Sequence, residues 1–93
     1  MRLDKYLQVS RLVKRRTWAK ELCEAGKVHV NGKPGRPASM VRVGDKLELD
    51  FEWRVLNVEV AELRERASTQ QARQMYTVTA TRRRDQNELL GPP

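Results

Sequence analysis

The sequence predicts an α+β fold in which an N-terminal two-helix hairpin packs on a small, mainly antiparallel sheet. Before residue 26 the apolar residues recur at helical spacing, and after Gly26 they alternate with polar residues as in strands. The dipeptide Asn31-Gly32 lies between two such stretches and favours a two-residue hairpin turn. A chain of 93 residues has the length of one domain, which we expect to span residues 1–81 and to include a short β extension.

The first helix is predicted over residues 2–10. Leu3, Tyr6 and Leu7 follow one another at helical spacing, so they share one face of such a helix. Asp4 falls in its first turn, where a negative charge is favourable. We therefore expect a short helix that buries its apolar face.

The second helix is predicted over residues 15–25. Trp18, Leu22 and Ala25 follow the i, i+4, i+7 pattern of a buried helical stripe. Gly26 comes directly after it, at the position where a helix commonly ends with positive φ. We expect the stripe to face the core and Trp18 to be its largest anchor.

The pattern after Gly26 predicts strands joined by turns. Residues 27–30 alternate as a strand and lead into the Asn31-Gly32 turn. The two prolines in residues 33–37 predict a loop, because proline cannot lie in a central strand. Residues 39–43 can then form a short edge strand.

Three further elements complete the predicted sheet and its surroundings. Residues 46–51 alternate cleanly, and residues 53–63 form a second strand with an irregularity near Asn57. A helical turn is expected to begin near Ser68, before a last strand over residues 75–79. These strands would provide the sheet on which the two helices pack.

The net charge of +7 is concentrated at one end of the chain. Residues 1–20 carry seven basic residues against one acidic residue, a net charge of +6, whereas residues 47–66 have a net charge of −3. A positive charge polarised in this way attracts polyanions, above all nucleic acid. We expect the acidic segment to lie away from the polyanion, and residues 82–93 to form a flexible basic tail.

Arginine-rich helix faces are suited to phosphate recognition. The chain has 13 arginines and six lysines, and a guanidinium group can pair with two phosphate oxygens at once. Folded RNA, whose deep groove offers side chains little to read, is bound mostly through its shape and backbone. The candidate RNA-binding residues are the charged residues of the predicted hairpin: Arg2, Asp4, Lys5, Arg11, Lys14, Arg15, Arg16 and Lys20.

Composition argues against several other classes of protein. One cysteine, Cys23, cannot form an internal disulfide or a thiolate metal cage, and one histidine, His29, has no acidic or cysteine partner nearby in the sequence. The sequence has no nucleotide-binding loop and no nucleophile–base set, so we expect neither an enzyme nor a cofactor or metal. No stretch is apolar enough for a signal peptide or a membrane span, which favours a cytoplasmic protein that binds no membrane.

The ordered motifs of residues 1–51 resemble the S4 (S-four) RNA-binding domain family. The resemblance implies an S4-like fold and binding to structured RNA through the helical hairpin. The combination is more specific than any of its parts. The matching residues are Arg2-Leu3-Asp4-Lys5-Tyr6-Leu7, Ser10-Arg11, Arg15-Arg16, Ala19, Leu22, Gly26, Val28, Val30-Asn31-Gly32 and Val43-Gly44-Asp45.

Within that family the whole chain is most similar to a group of small bacterial ribosome quality-control proteins. The similarity rests on Arg2–Leu7, Val9–Leu12, Lys14–Thr17 and the pair Met75-Tyr76. It implies binding to the large ribosomal subunit of split, stalled ribosomes, through large-subunit rRNA and peptidyl-tRNA. It also implies cooperation with the NFACT-type tailing factor RqcH, which adds alanine tails, and a monomeric state. The alternatives are a heat-shock-type ribosome-binding protein, which usually has a longer basic extension, or a generic structured-RNA-binding protein.

Several side chains have two interpretations from sequence alone. Asp4 either favours the positive end of the first helix or orients a neighbouring arginine on RNA. Trp18 is assigned to the core, with stacking on an RNA base as the alternative. Cys23 is expected to be buried and unreactive, and His29 to lie at the surface. The arginines at 82–84 serve either as an accessory RNA contact or for solubility.

Overall fold

The computed structural model describes residues 1–52 and 54–83. Within this part of the chain, five strands form one sheet in the order β2-β1-β3-β4-β5, and all neighbouring strands are antiparallel. The predicted α+β fold class is confirmed. The elements are α1 Leu3–Val9, α2 Arg16–Glu24, β1 Val28–Val30, β2 Lys33–Pro34, β3 Lys46–Asp50, β4 Arg54–Val60, α3 Thr69–Arg73 and β5 Tyr76–Arg83.

One hydrophobic core joins the two N-terminal helices to the sheet. Leu3, Tyr6 and Leu7 of α1 are fully buried, as their helical spacing predicts. The Tyr6 hydroxyl donates a hydrogen bond to the backbone oxygen of Met75, at 2.8 Å, and so ties α1 to the residue that precedes β5. The core also contains Val9, Val13, Ala19, Cys23, Val28, Val41, Leu47, Leu49, Leu56, Val58 and Val60.

Helix α2 is rotated relative to its predicted orientation, and the assignment of Trp18 to the core is wrong. The residues of α2 that are buried are Ala19 and Cys23, and the Trp18 side chain is 48% exposed. The buried side therefore lies about 100°, or one residue, around the helix from the predicted stripe. Ala19–Cys23 and Trp18–Leu22 both satisfy helical spacing, so only packing could decide between them.

Two turns with positive φ hold the first strands in register. Asn31 and Gly32 have φ values of 52° and 84°, as the predicted two-residue hairpin turn requires. The Asn31 side chain then accepts a hydrogen bond from the Lys46 backbone nitrogen and donates one to the Asp45 carboxylate. The Asn31-Gly32 and Gly44-Asp45 motifs thus meet at the start of β3.

The segment between β1 and β3 differs from the prediction in two places. Lys33–Pro34 forms the short edge strand β2 instead of a loop, and an edge position tolerates proline because one side needs no hydrogen-bond donor. Residues 39–43 do not form the predicted edge strand. Their backbone pairs with the start of the chain: Leu3 donates to Ser39 at 2.7 Å, and Val41 donates to Met1 at 2.8 Å.

The C-terminal elements agree with the sequence prediction except in length. The irregularity expected near Asn57 is a break of register between Asn57 and Val58 in the β4–β5 pairing. Helix α3 begins after Ser68, whose side chain accepts a hydrogen bond from the Gln71 backbone nitrogen in a reciprocal cap. Strand β5 extends to Arg83, two residues past the predicted domain boundary at residue 81. The remainder of the predicted tail, residues 84–93, lies outside the described residues.

Candidate RNA-binding surface

Asp4 holds two arginines at the entrance of the helical hairpin. Its side chain is only 4% exposed, and it accepts hydrogen bonds from Nε and Nη2 of Arg2, both at 3.2 Å. It also accepts one from Nη2 of Arg16 at 3.3 Å and one from the Lys5 backbone nitrogen at 2.7 Å. A single buried carboxylate therefore orients two guanidinium groups that remain about half exposed.

The local fold explains why these three side chains meet. Arg2 directly precedes α1, Asp4 lies in its first turn, and Arg16 is the first residue of α2. Because α1 is short and the arginine side chain is long, the Arg16 guanidinium reaches the Asp4 carboxylate across 12 residues of chain. Asp4 thus accepts a hydrogen bond from a backbone nitrogen in the first turn of α1 and also orients two neighbouring arginines, whose contact with RNA stays a prediction.

The pKa of Asp4 reflects two opposing influences. Burial alone would raise the pKa, but the hydrogen bonds from Arg2 and Arg16, the charge of Arg16 and the Lys5 backbone nitrogen outweigh it together. The net effect is a pKa below the ordinary value of 3.8. Asp4 is therefore ionised at neutral pH, and its charge is neutralised locally by the arginines.

Lys5 contacts an acidic residue that lies 60 positions further along the chain. Its Nζ forms an ion pair with Glu65, whose side chain is 78% exposed. The Lys5 ammonium lowers the pKa of the Glu65 carboxyl by a hydrogen bond and by its charge. The acidic segment, which we expect to lie away from the polyanion, thus meets a basic residue of α1 at Glu65, because the chain after β4 returns along α1.

Of the four other candidate residues, three lie in the hairpin loop between α1 and α2, and Lys20 lies in α2. Arg11 has a left-handed backbone with φ of 62°, and its Nη2 donates to the Ala67 backbone oxygen at 3.4 Å. The Arg15 guanidinium lies 5.4 Å from the centre of the Trp18 ring, a cation–π geometry. Lys14 and Lys20 are exposed, and within residues 1–52 and 54–83 neither forms an ion pair.

The two flanks of α2 have different chemistry. Arg16 and Lys20, one helical turn apart, lie on the flank that faces Asp4, whereas Trp18 and Leu22 lie on the other. The Trp18 flank borders an open groove of about 580 Å³ that Leu12 and Phe51 also line. The cluster of Asp4, Arg2 and Arg16, called the Asp4 cluster below, therefore involves one side of the helix only, and Trp18 does not belong to it.

A second groove contains a basic residue that the sequence analysis did not select. It has a volume of about 310 Å³ and is lined by Arg11 and Lys14 from the hairpin and by Glu65, Arg66 and Ala67 from the segment after β4. Arg66 lies 52 residues beyond Lys14 in a polar stretch without periodicity, so no sequence pattern linked the two. Only the tertiary fold brings them together.

The remaining polar candidates, Cys23 and His29, are not exposed on this surface. Cys23 is buried, as predicted, and burial raises the pKa of its thiol to about 11. His29 lies at the surface of the sheet with its Nδ1 3.8 Å from the Glu48 carboxylate. Among the side chains that the structure describes, no group of three or more histidine, cysteine or acidic residues could hold a metal ion. A search of the same residues finds no helix that is long and apolar enough to cross a membrane.

Comparison with known proteins connects this surface to a family. Residues 1–47 match the S4 domain family. The RQC P-site tRNA stabilizing factor of Listeria innocua is 45% identical over 87 residues, covering 94% of this chain and 95% of that protein. The factor of the same name in Bacillus subtilis is 44% identical over 78 residues, covering 84% and 91%. A trimeric structure of Vibrio cholerae heat shock protein 15 superposes with a TM-score of 0.80 at 31% identity, covering 86% of this chain and 82% of that one.

The chain belongs to the S4 domain family, and an S4 domain indicates RNA binding. The matched relatives are covered over nearly their whole length, beyond the S4 domain itself. Within the family the chain belongs to the RQC P-site tRNA stabilizing factors, RqcP, the ribosome quality-control group that its sequence resembles. The predicted family is confirmed.

Proposed function

We propose that this chain binds the large ribosomal subunit of split, stalled ribosomes, where it contacts rRNA and stabilises peptidyl-tRNA in the P site. It acts there by binding and carries out no chemical step. In this proposal it supports the alanine tailing that the NFACT-type factor RqcH performs on the same particle, and it works as a monomer in the cytoplasm. The names of the relatives support the tRNA and quality-control parts of the proposal.

The observation that carries the proposal is the Asp4 cluster. Arg2 precedes α1 and Arg16 begins α2, yet one buried carboxylate fixes both guanidinium groups. Fixed guanidinium groups lose less conformational freedom when they bind phosphate than mobile ones do. They also present a defined spacing, which suits a folded RNA that is recognised by the shape of its backbone.

The predicted binding residues have different roles in this proposal. Arg2 and Arg16 meet RNA phosphates directly, and Asp4 is a positioning residue behind them. The other basic residues of the hairpin extend the contact along its exposed loop and helix faces: Lys5, Arg11, Lys14, Arg15 and Lys20. A generic polyanion-binding protein would need only the summed charge of these residues and no fixed geometry.

The test compares two single-arginine variants on stalled large subunits that carry peptidyl-tRNA. Arg16→Ala removes a positioned, charge-assisted contact worth about 1.5–3 kcal/mol, so pelleting with these particles should be largely lost. Arg82→Ala removes the same charge from β5 and should change pelleting little. Arg82 lies six residues, about 20 Å, along the strand from Tyr76, which follows the residue that contacts α1. Wild-type affinity should also fall by roughly two to three decades between about 50 and 200 mM salt if about five phosphates are contacted.

Bulk folded RNA and small subunits are the controls for this comparison. Equal losses for the two variants on stalled large subunits would leave only a basic RNA-binding protein and remove the quality-control assignment. A binding affinity that does not respond to salt would contradict RNA binding through phosphates altogether.

A further inference from the structure

The groove between the hairpin loop and the segment after β4 has the composition of an anion site. Three cationic side chains line it, Arg11, Lys14 and Arg66, against one carboxylate, Glu65. Glu65 is already paired with Lys5, whose ammonium group offsets its charge. The groove therefore has a positive field that no acidic partner within its lining balances.

The groove is built by contacts between two distant parts of the chain. Arg11 joins its walls, because its backbone belongs to the hairpin loop while its guanidinium donates to Ala67 at 3.4 Å. Its φ of 62° is a conformation that non-glycine residues seldom adopt, and the Arg11 backbone nitrogen donates to Gln8 at 3.1 Å to hold it. Lys5 and Glu65 form an exposed ion pair between the same two parts of the chain.

We propose that this groove is a second phosphate subsite, which binds a phosphodiester of the RNA through Arg66 together with Arg11 and Lys14. The inference rests on the proposed function and deepens it, because it extends the RNA surface to the segment after β4. Arg66 lies outside the residues that match the S4 domain, 1–47. The subsite is therefore an addition to the S4 domain.

RNA is the source of phosphate that the position of the groove favours. Gln8, which also lines the groove, lies one turn along α1 from Asp4, so the groove lies next to the surface on which Arg2 and Arg16 are presented. A free phosphate would need a site that encloses it, whereas this groove is partly open to solvent and suits one phosphate of a longer backbone.

The experiment measures the affinity for tRNA of the full chain over a series of salt concentrations. Arg66→Gln should weaken binding several-fold and make the log–log salt slope less steep by about one, the signature of one lost phosphate contact. Arg73→Gln is the matched control: it removes one exposed arginine from α3, outside the groove lining, and should leave the slope unchanged. Both side chains are exposed, and circular dichroism checks that the variants fold.

Two further arms separate the outcomes. If Arg66→Gln and Arg73→Gln have equal salt slopes while Arg16→Gln still abolishes tRNA binding, the subsite is wrong and the proposed function stands. If Arg16→Gln has no effect on tRNA binding either, the proposed function itself fails. Inorganic phosphate at constant ionic strength should fail to weaken the tRNA affinity of the wild type. If it lowers that affinity to the level of Arg66→Gln, the groove is a site for free phosphate and the proposal is wrong.

Discussion

Two acidic residues contact the basic side chains around helix α1, one from within the helix and one from the segment after β4, and their environments differ. Asp4 is 4% exposed and binds Arg2, Arg16 and a backbone nitrogen, whereas Glu65 is 78% exposed and forms an ion pair with Lys5. A buried carboxylate with several donors fixes the geometry of its partners. An exposed carboxylate with one partner is screened by water and mainly changes the local charge. The comparison predicts that neutralising the two acids has opposite effects on RNA binding.

The largest expected effect is that of Asp4→Asn on RNA affinity. The substitution raises the net charge by one, so attraction by charge alone would strengthen binding. Loss of the carboxylate that orients Arg2 and Arg16 should instead weaken it roughly tenfold or more, because charge-assisted hydrogen bonds contribute about 1.5–3 kcal/mol. Filter binding of tRNA at fixed salt measures the change. Tighter binding by this variant would show that the arginines need no positioning.

A smaller effect is expected on stability in acid. The folded-state pKa of Asp4 lies below its ordinary value of 3.8, so its stabilising contribution is present above pH 3.8 and is lost as the pH falls through the folded-state value. Urea denaturation of the wild type and of Asp4→Asn should therefore show a difference in unfolding free energy at pH 6 that shrinks below pH 3.8. A difference that stays constant with pH would mean that the Asp4 charge does not stabilise the fold.

The smallest expected effect is that of Glu65→Gln. Releasing Lys5 from its exposed partner should raise RNA affinity roughly two- to fivefold, since one more cation becomes available and one negative charge is removed. Thermal stability should barely change. The same tRNA-binding assay measures the RNA affinity of Glu65→Gln beside that of Asp4→Asn, a substitution with an identical charge change. Weaker binding would indicate that the Lys5–Glu65 pair positions the groove instead of neutralising it.

Elements defined by local pattern could be predicted from the sequence. The Asn31-Gly32 turn, the end of α2 at Gly26 and the cap at Ser68 all depend on the backbone preferences of single residues. The family could be recognised for a related reason, because its motifs are short and ordered. These features need no knowledge of which parts of the chain meet.

Features that depend on packing between distant segments could not be predicted from the sequence. The orientation of α2 was ambiguous because two overlapping stripes satisfied the same spacing, and Trp18 was assigned to the wrong one. Arg66 and Glu65 approach the hairpin only because the chain returns along α1 after β4. The candidate surface, including Asp4, could thus be identified from the charged residues of the predicted hairpin, while Glu65 and the second groove required the fold.

The hydrogen bond from Tyr6 to Met75 has a consequence for how the protein matures. It joins residues 69 positions apart, and the Tyr6 ring is fully buried. The α1–α2 hairpin is synthesised first, but the hydrogen-bond acceptor of Tyr6 is present only once Met75 has been added and β5 has paired with β4. Contacts of such long sequence separation form late because they close a large loop of chain. We therefore expect the hairpin that carries the proposed RNA-binding residues to be fully secured only after Met75 has been synthesised and β5 has formed.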